Sequence, residues 1–153
     1  MFIERLIKAL SKHQVTYAVV GGYAVALHGA IRGTVDIDLV IALDKRQYVA
    51  LEKAMKSLGL VPRLPVDAET IFDFREEYMR NRNLVAWSFY HPANPLEVID
   101  VLITQDLRAI GTVTKRIGKL DVVVAAIPDL ITMKKQSARP QDLEDIRALE
   151  KLQ

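Results

Sequence analysis

The run Val35-Asp36-Ile37-Asp38-Leu39-Val40-Ile41 constrains this chain more than any other segment. Its alternation of aliphatic and acidic residues has the two-residue period of a strand, so Val35, Ile37 and Leu39 share one face and Asp36 and Asp38 the other. Such a strand needs a core on one side and something other than a core on the second. Two carboxylates at about 4 Å repel by roughly 4 kcal/mol at an effective dielectric of 20, so the pair needs a shared proton, solvent or a cation. Taken alone, an Asp-x-Asp is explained as well by a solvated strand edge. A third acid changes the balance. Asp100 interrupts the aliphatic run Val98, Ile99, Val101, Leu102, Ile103, and a lone carboxylate in so apolar a strand is costly unless it is paired or bound to metal. Glu97 competes for the same role but stands at the polar start of that strand.

The rest of the chain alternates helix and strand signals. Phe2, Ile3, Leu6, Ile7 and Leu10 lie on one helical face, while Glu4, Arg5 and Lys8 rule out the continuous apolar stretch of a signal peptide. Tyr17 to Val20 reads as a strand stopped by Gly21-Gly22, and residues 23–28 as a short helix. Residues 35–43 form the acidic strand and residues 45–58 a helix. Pro62 and Pro65 make residues 61–67 irregular, and residues 68–81, acidic early and basic late, read as one helix. Residues 86–90 and 97–103 pair antiparallel around His91-Pro92-Ala93-Asn94-Pro95, and residues 112–117 pair with 120–125 around Gly118-Lys119. Pro128 opens a helix to about residue 136, and Pro140 sits in the first turn of a last one. A single domain over residues 1–153 is expected, of α/β (α+β) class, with one mixed sheet packed with helices.

At 153 residues, half of them apolar, the chain can bury about 70% of its unfolded surface and needs no covalent staple. The net charge of +2, from 21 basic and 19 acidic residues, gives no support to an extended nucleic-acid groove; attraction to phosphate must be local. The absence of cysteine excludes disulfides, thiolate metal sites and a cysteine nucleophile and fits a cytoplasmic setting. The most apolar stretch, residues 17–31, contains two glycines and His28 and is too short to span a bilayer.

Gly21-Gly22 ends a strand and opens a short helix, which lets backbone N–H groups approach a phosphate with no Cβ in the way, although ordinary turn chemistry also explains the pair. The combination of strand, Gly-Gly, short helix, then Arg32-x-Thr34-x-Asp36-x-Asp38-Leu39 and a later Ile99-Asp100-Val101 resembles the DNA polymerase β-like nucleotidyltransferase superfamily. Within it, the chain looks most like small bacterial and archaeal nucleotidyltransferases related to AbiEii-type toxins and aminoglycoside 2″-nucleotidyltransferases. The resemblance implies the nucleotidyltransferase (polymerase β palm-like) fold and a two-metal transfer of an NMP group from an NTP to a hydroxyl acceptor, which could be RNA such as tRNA, a protein or a small molecule. Asp36, Asp38 and Asp100 would then be the catalytic and metal-binding residues for Mg²⁺ or Mn²⁺, oxygen-preferring ions that suit three carboxylates.

Gly21, Gly22, Arg32, Thr34 and Lys134 would bind the nucleotide. Arg32 beside acids is equally readable as a structural ion pair. The commoner superfamily turn is Gly-Ser, so Gly22 offers no hydroxyl. The C-terminal run also resembles the toxin-like branch, with matching positions at Lys134, Arg139, Asp142 and Asp145, and implies a toxin with an antitoxin protein as partner; the competing reading is a solvated basic surface followed by ordinary first-turn acids. His28 reads as a helix-end residue, and Tyr78, Trp87, Phe89 and Tyr90 as core aromatics rather than a base-stacking set. The rival to an enzyme is a catalytically silent nucleotide-binding or regulatory module of the same fold.

Overall fold

A mixed sheet of seven strands runs through the centre of the computed structural model, which describes residues 1–153. In chain order the elements are α1 (Phe2–Lys12), β1 (Tyr17–Val20), α2 (Gly21–Leu27), β2 (Ile37–Ile41), α3 (Lys45–Ser57), β3 (Val61–Pro62), α4 (Ala68–Asp73), α5 (Arg75–Arg82), β4 (Ala86–His91), β5 (Asn94–Leu102), β6 (Thr112–Ile117), β7 (Leu120–Ala125), α6 (Ile127–Ser137) and α7 (Pro140–Lys151). The spatial order is β3-β4-β5-β2-β1-β7-β6. The pairs β2/β5 and β1/β7 are parallel and the other neighbours antiparallel. The expected class is therefore found: helices packed on one mixed sheet.

Local sequence explains most boundaries. α1 buries Ile3, Leu6, Ile7, Ala9 and Leu10, the spacing of a single helical face. All four residues of β1 are buried, as expected for a strand between β2 and β7. Asp44 caps α3 by accepting from the Arg46 amide at 2.8 Å. Under the sheet, Tyr48 stacks on Trp87 at 5.5 Å between ring centroids and 6° between planes, Phe89 leans on Trp87 at 4.8 Å, and Phe72 meets Tyr48 edge-on at 5.3 Å. Trp87 and Phe89 are core, as expected; Tyr78 and Tyr90 are only partly buried.

Several boundaries differ from the sequence reading, among them the start of β5 at Asn94 rather than at residue 97 and of α2 at Gly21 rather than at residue 23. The helix expected over residues 68–81 breaks at Phe74 into α4 and α5. α4 buries Ala68 and Ile71 while α5 buries nothing, so packing holds only the first segment against α3. Residues 61–67 are not wholly irregular: Val61 and Pro62 pair with Tyr90 and Phe89, and Pro62 is tolerated because β3 is an edge strand. The acidic strand begins at Ile37 rather than at residue 35, which leaves Asp36 just ahead of it and exposed. No helix is long and apolar enough to cross a membrane.

Because Trp87 packs between the Tyr48 and Phe89 rings, Trp87→Ala should lower unfolding stability by about 3–5 kcal/mol, seen as an earlier urea midpoint; a loss below about 1 kcal/mol would contradict this account of the core.

Candidate functional site

β1 and β2 pair antiparallel with Val20 opposite Asp38, and β2 and β5 pair parallel with Asp38 opposite Asp100. The register therefore sets two carboxylates side by side where β1 turns into α2. Gly21 makes that turn with φ +68°, and a Cβ there would overlap the Asp38 carboxylate. Glycine is thus required at position 21 for backbone conformation and for space. Gly22 follows it, buried against the Arg32 guanidinium.

Asp100 is held from the far side by Ser88 on β4, whose Oγ donates to Asp100 Oδ1 at 2.5 Å. Ser88 is itself braced, its carbonyl accepting from the Arg63 amide at 2.9 Å. Burial, then the charge and hydrogen bonding of Asp100 and the charge of Asp36, push Asp38 up to about 7, with Lys134 opposing. Partial burial and the Asp100 charge also raise Asp36, and Arg63 pulls it back. The Asp38 and Asp100 pair thus lacks cationic compensation in proportion to its charge, and its donors are all oxygen, a set that fits Mg²⁺ or Mn²⁺. The three side chains do not form a finished ligand cage. Asp36, exposed and ahead of the strand, is the member that would have to turn inward.

The expected nucleotide-binding residues divide into two groups. Gly21 and Gly22 adjoin Asp38. Thr34 is turned to the backbone, its Oγ1 donating to the Asp36 carbonyl at 3.4 Å. Arg32 and Lys134 instead belong to an ion network with α7. Arg32 Nε donates to Asp145 Oδ1 at 3.0 Å. Lys134 Nζ stands 2.8 Å from Asp145 Oδ2 and 3.6 Å from Asp142 Oδ1. Arg139 Nε donates to Asp142 Oδ2 at 2.9 Å, and its backbone N–H reaches the same oxygen at 3.0 Å.

The competing reading of Lys134 as solvated surface followed by ordinary first-turn acids does not hold: Lys134 is only 6% exposed, and Asp142 and Asp145 are only 1% and 2% exposed. Ala138, with φ +48°, folds α6 sharply back on α7, and that reversal buries the three charges together. Burial opposes ionisation of Asp142, yet hydrogen bonds from Arg139 and Ser137 and the Arg139 charge hold it at about 2. Burial likewise opposes ionisation of Asp145, and Lys134, Gln141 and Arg32 hold it below the usual carboxylate range.

A cleft of about 700 Å³ opens between Asp38 and this network, with Gly21, Leu102, Met133, Lys134 and Arg139 among its walls. A groove of about 900 Å³ between α1 and β7 lies away from the carboxylates and holds no comparable charge cluster. Ser88 and Arg63 were missed from sequence. The hairpin register gives the signal for Ser88, which lies directly opposite Asp100, whereas Arg63 reaches the site only through the unforeseen edge strand. His28 is a helix end as expected, with Nε2 2.8 Å from the Ala125 carbonyl oxygen.

No protein-family model and no curated protein matches the sequence. The fold has clear likenesses. The antibiotic-resistance factor ANT(2″)-Ia superposes with a TM-score of 0.66 at 15% identity, covering 97% of this chain and 80% of that one. The lincosamide antibiotic adenylyltransferase LnuA, solved with lincomycin, gives 0.64 at 12% identity, covering 99% and 96%. An antigenic nucleotidyltransferase-like protein from Paracoccidioides brasiliensis gives 0.59 at 18% identity, covering 97% and 74%. The chain has the nucleotidyltransferase fold.

The raised Asp38 fixes the sign of a pH effect. Between about pH 4 and about 7 the folded chain retains a proton that the unfolded chain has released, so metal-free stability falls as pH rises through that window. Asp38→Asn removes the penalty. At neutral pH without divalent ions it should be more stable than wild type by about 1–3 kcal/mol in urea titrations, with the gap closing toward about pH 4. Lys134→Met should do the opposite, costing about 3 kcal/mol by leaving two buried carboxylates short of a cation. A stable Lys134→Met would contradict the network.

Proposed function

We propose that this chain transfers a nucleoside monophosphate from an NTP to a hydroxyl acceptor at Asp36, Asp38 and Asp100. The observation that carries the reading is the register pairing of Asp38 with Asp100 at the Gly21 turn, beside a cleft with Lys134 and Arg139 in its walls. One sheet position thus combines an uncompensated carboxylate pair with nearby cations. Charge of both signs, kept apart, suits a polyphosphate delivered with a metal.

In the proposed reaction the acceptor oxygen attacks the α-phosphorus, the bond from that phosphorus to the bridging oxygen of the β-phosphate breaks, and pyrophosphate leaves. The hydroxyl proton passes to the Asp100 carboxylate, which Ser88 holds in place through Oδ1. Asp38 and Asp36 would hold the divalent cation, Mg²⁺ or Mn²⁺, which when bound would offset their repulsion, acidify the hydroxyl and carry charge on the leaving group. Arg139 is paired with Asp142 through Nε, but with its side chain 74% exposed it can turn its outer nitrogens to an anionic ligand. Lys134 is matched by two acids and contributes mainly by lowering the acidity penalty on Asp38.

The shared fold with ANT(2″)-Ia, solved with adenylyl-2″-tobramycin, and with the lincosamide antibiotic adenylyltransferase LnuA, solved with lincomycin, supports a small-molecule acceptor. The modest net charge points the same way, since a long RNA groove would need a basic stripe. The match of Lys134, Arg139, Asp142 and Asp145 to the toxin-like branch supports the narrower reading of a toxin modifying a target such as tRNA and restrained by an antitoxin. In that case expression should arrest growth, and Asp36→Ala should relieve the arrest.

Thermal unfolding with each of the four NTPs, with and without Mg²⁺ or Mn²⁺, tests the main reading. At NTP about 100-fold above Kd the melting point should rise by about 5–10 °C, only with metal, and not in Asp38→Asn. A shift that survives both metal removal and Asp38→Asn identifies a silent nucleotide-binding module instead. No shift with any NTP sinks the proposal.

A further inference from the structure

Four neighbouring strands carry a row of polar residues across one face of the sheet. Asp38 on β2 lies opposite Asp100 on β5, and Asp100 opposite Ser88 on β4. β3 extends the row. Val61 lies opposite Tyr90 and Pro62 opposite Phe89, and the next residue, Arg63, donates its backbone N–H to the Ser88 carbonyl at 2.9 Å. Arg63 therefore falls opposite Ser88, two strand spacings, roughly 10 Å between backbones, from Asp100. Trp87 and Phe89 point to the core, whereas Ser88 and Tyr90, on the alternate face of β4, are only partly buried, as is Asp100. This half of the acidic face is open to a ligand.

Arg63 forms no ion pair with any carboxylate. Its guanidinium lies over the Tyr90 ring, 5.4 Å from the centroid, a contact that holds the planar group flat and leaves its edge donors to solvent. It is close enough to Asp36 to pull that carboxyl back toward its ordinary range, so it stands beside the site. The two ends of the row differ. Gly21, Lys134 and Arg139 share the cleft with Asp38, and Arg63 lies beyond Asp100 at the other end. In an in-line displacement the attacking and leaving oxygens occupy opposite sides of the phosphorus. With pyrophosphate leaving on the side of those cations, the acceptor approaches Asp100 from the side of Ser88 and Arg63.

We propose that Arg63, shelved on Tyr90, binds an anionic group of the acceptor, and that the acceptor is a small hydroxyl compound carrying a phosphate or a carboxylate. The proposal rests on the nucleotidyl-transfer reading above and adds the acceptor's charge to it. A guanidinium meets either anion through two parallel N–H donors, and stacking in advance lowers the ordering that such a contact requires. The same cation repels a polyamine, so tobramycin should be a poor acceptor here. Tyr90 is then a wall of the acceptor subsite, while Trp87 and Phe89, its neighbours on β4, remain core.

Two measurements test it. The first is a residue-resolved NMR titration of the metal-free protein with two matched pairs, ribose 5-phosphate against ribose and gluconate against glucose. A charged compound should shift the Arg63 Nε–H and Tyr90 ring signals and bind about 10-fold more tightly than its neutral partner. Arg63→Gln should abolish that preference and Arg63→Lys keep part of it; the tighter of the two charged compounds tells phosphate from carboxylate. No saturable shift at Arg63 with either anion, or equal binding of charged and neutral partners, would overturn the inference. The second compares transfer from α-labelled NTPs, with Mg²⁺ or Mn²⁺, to the same four compounds and to tobramycin. Arg63→Gln should raise KM for a charged acceptor about 10-fold and lower kcat less; faster labelling of tobramycin or of a neutral partner would overturn the assignment. A wild type that shows the metal-dependent NTP melting shift but fails the titration loses this inference alone. A wild type without that shift loses the nucleotidyl-transfer reading beneath it.

Discussion

Two carboxylates on neighbouring parallel strands set the terms for everything around them. Asp38 and Asp100 face each other because β2 and β5 pair in one register, and their repulsion is present whenever both are ionised. What keeps the register is the opposite face of the same strands. Ile37, Leu39, Ile99 and Val101 are almost wholly buried, and a one-residue slip would turn that set to the acidic side. The core thus enforces a juxtaposition that the acids by themselves would avoid. A fold that spends packing energy on holding like charges together is what a cation-dependent site requires.

A second set of charges surrounds the first and has the opposite character. Lys134, Asp142, Asp145, Arg32 and Arg139 are mutually satisfied, and they tie α6, α7 and the segment after α2 into one body. Breaking such a group is costly because each ion left behind is desolvated. The strained carboxylate pair therefore has a stiff wall beside it. Arg32 links the two sets, since the residue that bonds Asp145 also lies on Gly22.

Much of this was readable from sequence for physical reasons. Periodicity placed β1 and both hairpins because their alternation and Gly or Pro punctuation act locally. The three acids stood out because Asp100 breaks an aliphatic run. The sequence did not reveal how far the acids at 142 and 145 are buried, since a three-residue spacing on a helix looks the same on a surface as under one. It also did not reveal the break at Phe74, where propensity favoured one helix and packing rewarded only its first half. Arg63 was invisible because its relation to Asp36 depends on Val61 and Pro62 joining the sheet edge. Its place is further secured by stacking, with the guanidinium 5.4 Å from the Tyr90 ring centre. Structural likeness to known nucleotidyltransferases agrees with the motif at Arg32 to Asp38, although identity is too low for sequence comparison to have found it.

The parallel pairing of β2 with β5 also bears on how the chain reaches its native state. The hairpins β4/β5 and β6/β7 close over short turns and can form early, whereas β2 must wait for α3, β3, α4, α5 and β4 to be laid down before β5 is available. Closing so long a loop costs more entropy than closing a hairpin and slows the step that depends on it. That step is also the one that brings two acids together. A long-range contact of the sheet is thus also an electrostatically unwelcome one, and a divalent ion that bound the closed pair would hold the completed sheet shut. For this protein the rate at which the closed sheet reopens, more than the rate at which it first forms, is where such an ion would leave its mark.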